Sequence, residues 1–111
     1  MAFIKSKVAN SGIKTKIGTG TYSGANTVVI DIGFKVKYFA LSSGNTTNKM
    51  VNIYNADVST TKYLRADGNA QPNWNDIGDG TRYTIVSITS TKVYVSGYSG
   101  VNAPFSYFAI G

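Results

Sequence analysis

The chemistry open to this chain is bounded by its side-chain inventory: five Asp, two Arg, nine Lys, and no His, Cys or Glu. Without those three types there is no Ser-His-Asp or Cys-His arrangement, no zinc site of the usual kinds, and no ordinary general base near neutral pH. Carboxylate pairs among Asp31, Asp57, Asp67, Asp76 and Asp79 remain. Asp67, Asp76 and Asp79 share one segment, so a glycosidase-like acid/base pair is conceivable. Asp67-Gly68 and Asp79-Gly80 read better as turns, because an Asp side chain readily bonds its own backbone two residues on. The same segment offers calcium the oxygens of Asp67, Asn69, Asp76 and Asp79, but without EF-hand spacing or the bidentate Glu that such a loop wants. Gly18-Thr19-Gly20 and Gly78-Asp79-Gly80 precede no helical pattern, so neither reads as a phosphate cradle. No catalytic residue, metal or cofactor is expected.

Binding is the chemistry left. The only Trp, Trp74, lies in PNWND, inside a segment dense in turn signals. An indole between Asn73 and Asn75 suits a stacking platform for a sugar ring, with neighbouring amides to bond its hydroxyl groups. The same indole could fold back and cap the core, and both readings stand at this point. Arg65 and Arg82 join Trp74, Asn73 and Asn75 as candidate ligand contacts at the loop-rich end, with Tyr63 and Tyr98 flanking them.

The elements that must carry these residues are strands. Period-two alternation recurs along the chain, while helix formers are scarce and Gly, Ser, Thr and Asn fill about two fifths of it. Ile13, Thr15 and Ile17 fall on one face opposite Lys14 and Lys16, and Thr19 to Asn26 reads as a turn. Val28, Ile30 and Ile32 share the next face. After Gly33, the face Phe34, Val36, Tyr38 and Ala40 opposes Lys35 and Lys37, then Phe39 and Leu41. Met50 to Tyr54 reads as a short strand with Val51 and Ile53 inward, and Lys62 to Ala66 as another. Asp67 to Gly80 reads as irregular. Thr81 to Thr89 and Lys92 to Tyr98 form a hairpin, and a last strand from Pro104 to Ile110 sets Phe105, Tyr107 and Ala109 against Phe108 and Ile110. The expected fold is all-β: a single antiparallel β-sandwich domain over residues 1–111, with about six to eight short strands.

Two strands read as apolar on both faces, which requires a second cover. The cover could be another part of the chain or another copy of it; if a second copy, Phe39, Leu41, Phe108 and Ile110 are the expected subunit interface of a homo-oligomer. A net charge of +6, carried mostly by dispersed Lys, fits solubility and guarded strand edges better than nucleic-acid binding. Single-strand binders interleave exposed aromatics with basic residues, whereas Lys14/Lys16 and Lys35/Lys37 alternate with apolar positions as ordinary solvent faces do. No apolar run approaches a membrane span, and MAFIKSK lacks a signal-peptide apolar core. The absence of Cys excludes a disulfide framework.

Three segments carry a family resemblance. IGTGTYSGAN followed by TVVIDIGFKVKYFAL, then TSTKVYVSGYS, and the closing FSYFAIG resemble small β-sandwich modules of bacteriophage tail and receptor-binding proteins. The arrangement is also similar to H-type-lectin-like domains. The match spans Ile17 to Leu41 and Thr81 to Gly111, with Val36 at a position where those modules usually place Pro. The resemblance implies a virion-associated domain, trimeric, contacting other virion proteins and binding a host surface glycan. Two rivals are a purely structural decoration or assembly protein and a basic domain that binds single-stranded nucleic acid.

Overall fold

The computed structural model describes residues 13–44, 49–67, 72–78, 84–97 and 102–111. Arg82, Asn69, Asp79 and Tyr98 lie outside these, and of Asp67 only the backbone is described. The protein is all-β, with two antiparallel sheets packed as a sandwich-like fold. Nine strands occur among the described residues: β1 (Thr15–Ser23), β2 (Thr27–Asp31), β3 (Tyr38–Gly44), β4 (Lys49–Asn55), β5 (Lys62–Asp67), β6 (Asn73–Asp76), β7 (Thr84–Ile88), β8 (Lys92–Ser96) and β9 (Asn102–Ile110).

The larger sheet has six strands in the order β1-β9-β3-β4-β5-β6, and the smaller has the order β2-β8-β7. Between them lies one core, built from Tyr22, Phe39, Leu41, Tyr54, Tyr63 and Phe105 of the larger sheet and Ile30, Ile85, Val93 and Val95 of the smaller. β9 sits between β1 and β3, the central place its two apolar faces require. The β7–β8 hairpin forms as the alternation predicts, with a bulge between Ile85 and Ser87. β1 lies close to β9 because Gly18 and Gly20 leave room. A Cβ at Gly18 would meet the Tyr107 ring, and one at Gly20 the Phe105 ring. The chain then turns at Gly24 (φ 59°), where the Asn26 amide donates to the Ser23 carbonyl at 3.2 Å, and crosses to the smaller sheet.

Several facings differ from the sequence expectation, each for a traceable reason. The stretch from Gly33 to Lys37 is not a strand, so the alternation loses step between Val36 and Phe39. Val36 points inward, but so do Phe39 and Leu41, which are both 0% exposed. Tyr38 and Ala40 face outward instead. In β4 the inward residues are Met50, Asn52 and Tyr54, while Val51 and Ile53 face out. Thr19 to Ser23 is strand rather than turn, and Ile17 projects away from the core at 77% exposure. The segment that includes PNWND is not wholly irregular, because Asn73–Asp76 pairs with β5 as an edge strand.

Candidate functional site

Strand alternation and register together define the outer face of the six-stranded sheet, the face turned away from the smaller sheet. Following the partners strand by strand, Ile17 pairs with Phe108, Phe108 with Ala40, Ala40 with Ile53, Ile53 with Leu64, and Leu64 with Trp74. One apolar row therefore crosses all six strands on the side the core does not use. Ile110 and Tyr38 stand beside it on one flank, Val51 and Ala66 on the other.

The two halves of this face differ in chemistry. On β1, β9 and β3 the outward positions around the row are Thr15, Thr19, Thr21, Ser23, Asn102, Pro104, Ser106 and Ser42, so the described half carries no charged side chain. Small side chains at Ala40, Ser42 and Ser106, rimmed by Phe108 and Val51, leave an apolar hollow of about 250 Å³. Ile17 rises from the neighbouring edge strand. On β4, β5 and β6 the face ends in Trp74, 52% exposed, with the Lys62 ammonium and Asp76 carboxylate paired beside it at 2.6 Å.

Among the expected ligand residues, the structure keeps Trp74 exposed and separates it from Asn73, Asn75 and Arg65, while Arg82 lies outside the described residues. Trp74 is not a core cap. Asn73 and Asn75 flank it along the strand and so project from the opposite face, where the Asn75 amide donates to the Asn73 side-chain oxygen at 2.9 Å. Arg65 pairs in register with Asn73 and also faces inward, its guanidinium 3.6 Å from the Met50 sulfur. Tyr63 is buried in the core. The charged groups beside the indole on its own face, among the described residues, are Lys62 and Asp76; from the sequence Asp76 reads only as a paired carboxylate or calcium ligand, and neither residue is placed beside Trp74. Reading Asn73–Asp76 as a strand would have found Asp76, two residues from Trp74.

The expected subunit interface is corrected in half of its residues. Phe39 and Leu41 are covered by the chain's own second sheet and have no surface to offer another subunit. Phe108 and Ile110 do lie on the outer face, partly exposed.

A second depression, of about 290 Å³, lies where the edge strands β1 and β2 part, and the Lys16 ammonium spans this seam to donate to the Asp31 carbonyl at 2.6 Å. Among the described residues no three His, Cys, Asp or Glu side chains gather as a metal site would require, and no helix is long and apolar enough to cross a membrane. No family model, curated protein or solved structure matches the chain.

Proposed function

We propose that this chain is a non-enzymatic recognition module of the phage virion, of the tail-fibre or receptor-binding kind, which engages a host surface carbohydrate through the β6 end of its outer sheet face. The observation that carries the reading is Trp74, an indole left half in solvent on a flat sheet edge instead of being spent on the core. A sugar ring stacks its C–H face on such an indole, and Lys62 and Asp76 are placed to bond the ring's hydroxyl groups. Both members of that ion pair are well exposed, so opening it for a ligand costs at most about 1 kcal/mol. The virion setting draws its support from the resemblance of residues 17–41 and 81–111.

A glycan array tests the reading. Selective binding that disappears in Trp74→Ala and weakens in Asp76→Asn supports it, whereas a blank array for the wild-type chain overturns it. Retained binding in Asn73→Ala and Asn75→Ala would show that the two amides stand apart from the site.

The second reading is a decoration or assembly protein without a ligand, and the apolar row from Ile17 to Leu64 favours it. A row of this kind is more than scattered surface hydrophobes and fits a protein contact. Single-stranded nucleic acid is disfavoured, since the only described lysine side chain on the outer face, Lys62, is already paired with Asp76.

A further inference from the structure

The geometry points to a second copy of this chain as the cover of the β1-β9-β3 half of the outer face, in a two-fold, face-to-face dimer that locks Ile17 of each copy into the hollow of the other. The argument does not depend on the carbohydrate reading. It begins with self-complementarity: an isologous contact needs its knob and its hole on the same surface. Here both are present. Ile17 stands on β1, and the hollow beside Ala40 and Ser42 opens on β3, with β9 between them.

Two stacked sheets related by a two-fold must have the axis lying in the plane between them. An axis running along β9 carries β1 of one copy over β3 of the other. Ile17 and Ala40 belong to the same register row, so the projecting isoleucine arrives above the hollow, about 10 Å from its own strand's position in projection. The two Phe108 rings then meet near the axis. Strands of the two sheets run nearly aligned, as stacked sheets prefer.

Charge selects this partner further. The chain carries +6, so most approaches of one copy to another are repulsive. The described β1-β9-β3 half presents no charged side chain, only an apolar centre inside a rim of Thr, Ser and Asn, the anatomy of a protein contact. An anionic partner would find nothing to pair with there.

The overlap is small. β1 and β9 are each 9 residues long, but β3, which lies under the partner's β1, has 7, so a three-strand overlap measures roughly 14 by 23 Å. That is about 640 Å² over both copies, below the usual size of specific interfaces and in the range of weak contacts. The dimer is therefore reversible and concentration-dependent. Strands β4 to β6 extend past the partner's β1 edge, so both Trp74 side chains stay open at opposite ends of the pair. Any ligand they share would be held at two points.

Sedimentation equilibrium on the full chain over a concentration series tests the proposal. The average mass should climb from 11.9 kDa toward twice that value. Ile17→Asp, which would bury an unpaired charge, and Ser42→Leu, which fills the hollow, should each weaken association by about tenfold or more. Both positions are solvent-exposed, and an unchanged circular dichroism spectrum and melting temperature would show that the variants fold. Trp74→Ala should leave the mass curve as it is. A mass that stays at one chain throughout the series, a limiting species of three chains, or association lost in Trp74→Ala but kept in Ile17→Asp each overturns the proposal.

Discussion

The two halves of the outer sheet face share one backbone ladder and one apolar row, yet they end in different chemistry. The described β1-β9-β3 half is uncharged, with a projecting isoleucine and an apolar hollow of about 250 Å³. The β4-β5-β6 half is charged at its margin and carries a bare indole beside an ion pair. The difference shows that a single apolar stripe need not have a single use. Register makes the stripe continuous, but the side chains flanking it decide what each part can contact.

Breaking what the halves share should have the largest effect. Leu41 lies under the first half and Tyr63 under the second, both fully buried in one core. Leu41→Ala should cost about 2–5 kcal/mol and Tyr63→Ala about 3–5 kcal/mol, each lowering a single cooperative transition in denaturant melts. Two separate transitions would mean the halves rest on separate cores. Because Leu41 is covered within the chain, its loss should not vary with protein concentration.

Next in size is a change confined to the first half. Gly20→Val should cost roughly 1–3 kcal/mol, since the new side chain meets the Phe105 ring, itself packed against Tyr22 at 4.9 Å between centroids. A melting temperature equal to wild type would show that β1 can lift from β9 freely. Trp74→Ala in the second half should shift stability by no more than about 0.5 kcal/mol while removing glycan binding, a contrast readable from one thermal melt and one array. Lys62→Ala, which touches no expected binding contact as large as the indole, should change stability by about 0.2–1 kcal/mol, and the difference should shrink as salt is raised. An effect that salt leaves untouched would mean the pair is not the surface contact it looks to be.

Much of the fold was legible beforehand because a strand advertises itself locally. Counting by twos sets Val28, Ile30 and Ile32 on one face opposite Val29 and Asp31, and the structure turns that shared face toward the core. The site was less legible. Asn73, Trp74 and Asn75 are adjacent in sequence, which suggests one site, but adjacency in a strand means opposite faces. Four residues among Gly, Asp and Pro signals do not look like a strand on their own, and β6 exists through its ladder with β5. The facing of β3 was lost at the irregular stretch from Gly33 to Lys37, where counting by twos no longer applies.

By itself the sequence determined that the chain builds strands and not helices, and that the usual catalytic and zinc-binding side chains are missing, since both follow from residue type and short-range period. Only the tertiary structure decided which side of each strand is covered. A strand with apolar residues on both faces is symmetric until another sheet packs on one of them. Here the β2-β8-β7 sheet took Phe39, Leu41 and Phe105, and left Ile17, Phe108 and Trp74 facing out.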